Sequence, residues 1–347
     1  MTSVQTMTVA PEDAGQRLDR WLRRQFPHVQ QGRIERMCRK GELRVDGGRV
    51  KAGTRLAHGQ QVRVPPLPDT ANTRTAVRQK IDEADSAMIR DAVIYRDDQV
   101  IAINKPPGLA VQGGSGQTRH VDGLSEALRF GLEEKPRLVH RLDKDTSGVL
   151  IMARTRAVAA ALTAAFRSRT TRKIYWAAVA GVPAPRTGTI RYGLVKAPGH
   201  GAKGEGEKMH CVHPDDVDRT QGARHAITDF TVLEAAASRC AWMALVPVTG
   251  RTHQLRAHMA EIGHPIIGDG KYGGSGQENP GDGWGAQLGG ELSRKLHLHA
   301  RSLTIRHPVT GAQLVLVAPL PAHMSRTWDV FQWQPGDVPD DPFSKIF

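Results

Sequence analysis

The run LVHRLDKDTSGVLIM, from Leu138 to Met152, is the most informative segment of the chain. It passes from irregular polar sequence straight into an apolar run of strand length, so Asp143 and Asp145 are expected at the lip of a sheet rather than on a free loop. A carboxylate held there can act as a nucleophile or a general base. Asp145, Thr146 and Ser147 by themselves make an ordinary turn, hydrogen-bonding nearby backbone. That reading does not account for His140, Arg141 and Asp143 arriving together just upstream. Taken singly, Tyr175 reads as a half-buried strand aromatic and Arg256 as a solvated or salt-bridged helix arginine. His253, His258 and His264 do not make a metal site, because 253 and 258 are five apart and diverge on a helix, unlike an i, i+4 pair. Gly113-Gly114-Ser115-Gly116 lacks the following Lys-Ser/Thr of a phosphate-binding P-loop.

The elements that must position these residues fall into two groups. Leu18, Trp21, Leu22 and Phe26 recur at helical spacing, and a second short helix fits Ile34 to Arg39. Glu42–Val45, Arg49–Lys51 and Gln61–Val64 read as short strands broken by Asp46-Gly47-Gly48 and His58-Gly59. Residues 66–90 start Pro-rich, are poor in apolar residues, and read as a linker. From 91 to 332, strand-length apolar runs occur at Val93–Tyr95, Val100–Asn104, Val149–Ala153, Ile174–Val179, Asp229–Leu233, Met243–Pro247, Leu296–Leu298, Leu303–Arg306 and Leu314–Val317. Helical periodicity is strong at Ala157–Phe166 and His253–Glu261. The expectation is α+β: a small two-helix unit over residues 1–65, then a mixed, largely antiparallel sheet with few helices. Ala197–Gly206 and Gly273–Gly290 read as long surface loops, and 333–347 as an acidic, poorly ordered tail.

With 39% hydrophobic residues in 347, the chain can bury a real core. Its 48 Lys and Arg against 35 Asp and Glu give a net charge of +13, which favours a polyanionic partner, nucleic acid ahead of an anionic membrane, although an Arg-rich composition could raise the charge unaided. Between Arg17 and Arg63 there are thirteen Lys or Arg against four acids, a density suited to phosphate contacts. Three well-separated cysteines suggest neither a disulfide framework nor a zinc finger. The amino end has no basic-then-apolar leader, and no apolar run nears the roughly 18 residues of a membrane span, so a soluble cytoplasmic protein is expected.

The pattern GQRLDRWL…RIERMCRKGELRVDGGRVKAGTRLAHGQQVRV resembles the S4 RNA-binding domain, with Gln30 and Gln31 where a serine is often found and VDG in place of VNG. That resemblance implies RNA contacts from Arg17, Arg33, Arg36, Lys40 and Lys51. HRLDKDTSG, His140 to Gly148, resembles the signature of the RluA-type pseudouridine synthases. KIYWAAVAG from Lys173, GRTHQLRAHMAEIGHPIIGDGKYG from Gly250, and NKPPGLAV from Asn104 resemble further segments of that family in the same order. The resemblance implies that Asp143 is the essential carboxylate, Tyr175 the active-site tyrosine, Arg256 the arginine pairing with the aspartate, and Arg141 the side chain that fills the stack when the target base leaves it. It implies no metal and no organic cofactor, and a monomer acting on RNA.

Converting a glycosidic C–N bond to C–C needs a carboxylate near the ribose, as nucleophile at C1' or base at the 2' position, and the sequence leaves both open. AVQGGSG, Ala110 to Gly116, is similar to a segment of the family's large-subunit enzymes and points to 23S rRNA, with an RluD-like rRNA enzyme or a tRNA synthase of the family as alternatives. Two other readings stand beside the synthase: an inactive RNA-binding ribosome-assembly factor, and a carboxylate-dependent nucleoside hydrolase.

Overall fold

The computed structural model describes residues 4–26, 28–67, 81–113, 119–168, 170–197, 208–273 and 292–344. It divides into two compact units, Met1–Lys80 and Ile81–Phe347. In the first, β1 (Gln5–Thr8) precedes α1 (Leu18–Gln25), α2 (Gln31–Lys40), β2 (Arg44–Val45), β3 (Gly48–Arg49) and β4 (Gln61–Val64). Leu18, Trp21 and Leu22 of α1, Ile34 and Met37 of α2, and Val62 and Val64 of β4 form its core. Helical spacing puts these residues on one face of each helix and leaves Arg20, Arg23, Arg33 and Arg36 in solvent. The sheet order is β1-β4-β2-β3, so the unexpected first strand covers an edge of the small sheet.

The second unit contains α3 (Glu83–Asp91), β5 (Val93–Arg96), β6 (Val100–Lys105), α4 (Val121–Leu124), β7 (Arg137–Leu138), β8 (Ser147–Ala153) and α5 (Arg156–Ser168). It continues with β9 (Arg172–Ala180), β10 (Thr187–Lys196), β11 (Met209–Val212), β12 (Arg224–Ala236) and β13 (Cys240–Pro247), then α6 (Gln254–Glu261), β14 (Leu298–Arg306), β15 (Gln313–Val317) and α7 (Ala322–Val330). Among the described residues the sheet order is β11-β10-β12-β13-β9-β14-β8-β6-β5, with β15 added on β14 and β7 on β8. All pairs are antiparallel except β14 with β8. Side chains alternate along β9: Ile174, Trp176 and Ala178 enter one apolar cluster, while Ala177 and Val179, with Tyr175 against them, enter another.

Three expectations need correction. The linker expected over 66–90 gives way to helix α3 from Glu83, because Ile89 is fully buried against Ile101 and Leu124; residues 68–80 lie outside the described ones. The expected disordered tail is instead packed as far as Ser344, anchored by the buried rings of Trp333 and Phe343 and by Arg172 forked onto Asp341 at 3.1 and 3.0 Å. The run Leu296–Leu298 is not a separate strand: only Leu298 is in a strand, the start of the one that holds Leu303–Arg306, continuous through a bulge between Ala300 and Ser302. Most of the two stretches expected as surface loops, Ala197–Gly206 and Gly273–Gly290, lies outside the described residues.

Candidate active site

His140, Leu142, Thr146, Ser147 and Gly148 of HRLDKDTSG are each held by a different device. His140 Nε2 accepts the Ile151 N–H at 3.0 Å and the ring stacks on Phe166, with centroids 4.4 Å apart. Burial, with the charge of Lys173 adding to it, pushes this imidazole down to about 3, consistent with its acceptor role. Leu142 is buried among Leu109, Leu138 and Leu150 and pins the loop. The Thr146 N–H donates to the Asp143 carbonyl at 3.2 Å. Ser147 does not bond nearby backbone, as a simple turn would have it: its hydroxyl lies 2.8 Å from Nδ1 of His299, while the enclosed Thr146 hydroxyl has no partner. Gly148, at φ +109°, is required sterically, since a Cβ there would lie 2.2 Å from the Ala300 carbonyl oxygen.

Lys105 adds a support that the sequence did not single out. Fully buried, its Nζ donates to the carbonyls of Pro106, Leu109 and Lys144 at 2.8, 2.8 and 2.9 Å, tying the NKPPGLAV loop to the residue after Asp143. Burial pushes this ammonium down to about 7, opposed by the charges of Asp145 and Asp143. The backbone of the loop is therefore tied at Lys144 and across the Asp143–Thr146 turn. The Asp143 carboxylate is not: it accepts no hydrogen bond among the described residues and is 27% exposed.

Opposite stands the segment from Thr249 to Tyr272. Gln254 fixes it: its amide oxygen accepts from Thr249 Oγ1 at 2.6 Å and the Arg251 N–H at 3.1 Å, and its amide nitrogen donates to Ile227 O at 2.8 Å and Thr228 Oγ1 at 3.0 Å. The helix begins one residue later than expected. His253 is its cap, held at φ +52°, a conformation unusual for a side chain of this size. Arg256 meets Asp143, as the resemblance implies, but through a single ion pair without a hydrogen bond. Its fork goes to Asp269, Nε and Nη2 each at 2.7 Å, in a pair with side chains 5% and 0% exposed, and only Nη1 faces Asp143, 3.7 Å from Oδ2. A buried guanidinium needs a full carboxylate partner, and Asp143 left free could not serve. His253 Nε2 lies 3.9 Å from the same Asp143 oxygen, while its Nδ1 is 3.0 Å from the Tyr272 hydroxyl, which accepts the Met209 N–H at 2.8 Å. Tyr272 also carries the Arg256 guanidinium over its ring at 5.2 Å.

Strand register supplies the floor between these walls. Tyr175 on β9 lies across from Ala300 on β14, which lies across from Gly148 on β8. With nothing larger than a methyl between them, a cleft of about 740 Å³ opens, lined by Asp143, Arg141, Tyr175, His253 and Arg256 among others. Burial, and after it the charge of Asp143, raises the Tyr175 pKa, so the ring is held as a neutral phenol. Arg141 is exposed and makes no hydrogen bond or ion pair among the described residues. The side chains from Ala110 to Gln112 also reach the cleft, but most of GGSG lies outside the described residues.

A family model described as RNA pseudouridylate synthase matches residues 99–261, and an S4 domain model matches residues 16–62. A relative named ribosomal large subunit pseudouridine synthase C, from Vibrio cholerae, is 36% identical over 328 residues, covering 94% of this chain and 96% of its own. The chain belongs to the RNA pseudouridylate synthase family. A synthase C from Escherichia coli K12 is likewise 36% identical over 330 residues, covering 93% of this chain and 95% of its own. The solved structure of human RNA pseudouridylate synthase domain containing 4 matches with a TM-score of 0.57 at 30% identity, over 71% of this chain and 95% of that one. As an RNA pseudouridine synthase with an S4 domain ahead of its catalytic unit, the protein is an isomerase, and the cleft around Asp143 is where its geometry concentrates the groups that chemistry needs.

The S4 cations divide by how they are engaged. Arg17 forks onto Asp19 at 3.1 and 2.5 Å and so braces the start of α1. Lys40 lies 3.8 Å from Glu42 on the surface. Arg33, Arg36 and Lys51 are exposed, and their side chains make no hydrogen bond or ion pair among the described residues. Sequence reasoning missed His253, Asp269 and Tyr272 as individuals, although they lie within the quoted GRTHQ…GDGKYG segment. The signal for Asp269 was present: an arginine on the inner face of a short helix must have an acid close by.

Proposed function

We propose that this cytoplasmic, monomeric synthase acts on large-subunit ribosomal RNA, converting chosen uridines to pseudouridine with Asp143 as its essential carboxylate and without a metal or organic cofactor. The observation that carries the assignment is the free Asp143 carboxylate, backbone-locked and 3.7 Å from a guanidinium whose fork is already committed. Arg256 supplies positive charge beside the carboxylate without tying it down, because its fork is held by Asp269. Tyr175 offers the detached uracil an aromatic face, and as a neutral phenol it donates a hydrogen bond rather than acting as a base. Arg141, unpartnered at the mouth, fills the stack vacated by the flipped nucleotide. Arg33, Arg36 and Lys51 of the S4 unit contact phosphates, joined by Lys40 and Arg17. The printed names of the relatives support large-subunit rRNA as the substrate. The test is carbodiimide-primer-extension mapping of total RNA from cells with and without the protein. Stops lost from 23S rRNA are expected; loss from tRNA alone would overturn the substrate.

A further inference from the structure

Beside the cleft lies a second cavity of about 490 Å³, and the two share Phe166, Lys173, Pro247, Thr249, Gly250 and Arg251 as walls. Three cations in the second cavity are accounted for or exposed. Arg172 is forked onto Asp341, Arg251 Nε donates to the His225 carbonyl at 3.1 Å, and Arg167 stands in solvent. Lys173 is different. Its side chain is half-buried, lies 5.8 Å over the Phe166 ring, and makes no hydrogen bond or ion pair among the described residues. Burial is the cause of its lowered pKa, and no carboxylate offsets it.

Desolvating an ammonium without an anion is costly, so such a group is retained where an anion arrives with the ligand. Lys173 and Tyr175 are two apart on β9 and project to the same side of the sheet, which places the cation one step along the strand from the aromatic face of the cleft. Thr171, just before the strand, also lines the second cavity, and its enclosed hydroxyl has no partner among the described residues, so rotating it into that cavity breaks no hydrogen bond there.

We propose that Lys173, with Thr171 beside it, forms a phosphate site that grips the RNA backbone immediately flanking the target uridine. This rests on the synthase reading. A fixed phosphate next to the flipped nucleotide sets how far that nucleotide reaches toward Asp143.

The experiment pairs Lys173→Met and Lys173→Arg with a short hairpin substrate carrying a single neutral methylphosphonate at each phosphate around the uridine in turn, folding being checked by melting temperature. Lys173→Met is expected to weaken RNA binding about tenfold and to lower the slope of log K against log salt by about 0.7–0.9, the share of one phosphate. Lys173→Arg is expected to restore most of that affinity. One flanking methylphosphonate is expected to cause the same loss in the wild type and no further loss in Lys173→Met. An unchanged salt slope, failure of the arginine to rescue, or losses that add at every phosphate would overturn the site. Wild-type turnover on the unmodified hairpin separates this failure from failure of the synthase reading, which would show as no pseudouridine at all.

Discussion

The two walls of the cleft hold their charged groups in opposite ways. On one side the backbone of 139–147 is pinned by Lys105, Leu142, the Thr146 amide and Gly148, while the Asp143 carboxylate accepts no hydrogen bond among the described residues. On the other, the Arg256 side chain itself is gripped by Asp269 through Nε and Nη2 and carried over the Tyr272 ring, leaving Nη1 toward Asp143. A group that must change its bonding during a reaction has to be placed through its backbone, since every hydrogen bond on the side chain would have to break. A group that only supplies charge is best locked at its tip, so that it does not collapse onto its neighbour.

The largest effect should come from the free side. Asp143→Asn is expected to abolish isomerisation while leaving RNA affinity within about tenfold, because it keeps size and most polar contacts; single-turnover assays and filter binding measure both. Next is the locked side. Asp269→Ala leaves a buried guanidinium without its partner, at a cost of about 3–5 kcal/mol read from denaturant unfolding, and frees the Arg256 fork to close on Asp143. Its rate should therefore fall further than its stability alone explains, and turnover at the wild-type level in a folded Asp269→Ala would mean that the Asp269 grip on Arg256 has no part in the reaction.

Arg141 tests the contrast at a third point, because it is neither locked nor reacting. Arg141→Ala should slow turnover strongly on a folded RNA and much less on one whose uridine is already unpaired, where flipping costs less. Equal losses on both, with a lower melting temperature, would make it a scaffold residue. A smaller change, severalfold in rate, is expected for Tyr272→Phe. That variant keeps the ring under Arg256 but removes the hydroxyl beside His253 Nδ1, so the imidazole that faces Asp143 is no longer held in one tautomer. Rate measured against pH should broaden in the variant; an unaltered profile would leave Tyr272 a packing residue.

The mildest test acts on both walls together, through histidines buried in neutral form. Burial pushes His140 on the aspartate side down to about 3 and His258 on the arginine side down to about 4. An unfolded histidine takes up its proton near pH 6.5. As pH falls below that value the unfolded chain gains protons the folded one refuses, so stability is complete above about 6.5 and is lost down to about 3–4. Melting temperatures recorded across that range should decline smoothly, with a flat curve contradicting neutral burial of either residue.

What the sequence made legible follows from what kind of signal it carries. β8, β9 and β13 are apolar runs buried on both faces, and Ala157–Phe166 has clear helical periodicity, so these elements stood out. β10 and β11 did not, because Thr187–Lys196 alternates weakly and Met209–Val212 is short and partly exposed. Helix α3 and the packed carboxyl end were missed because each is fastened by one or two large side chains in polar sequence, Ile89 in the first and Trp333 with Phe343 in the second. Asp143, Tyr175 and Arg256 were found through motifs and the structure brings all three to one cleft. Which carboxylate Arg256 grips was not legible, since it depends on two loops meeting in space.

The central claim is tested most directly by incubating the protein with RNA tritiated at C5 of uridine and digesting the product to nucleosides. The account predicts tritium released in step with pseudouridine formation, no free uracil, and neither product from Asp143→Asn. Free uracil, or turnover by that variant, would contradict it.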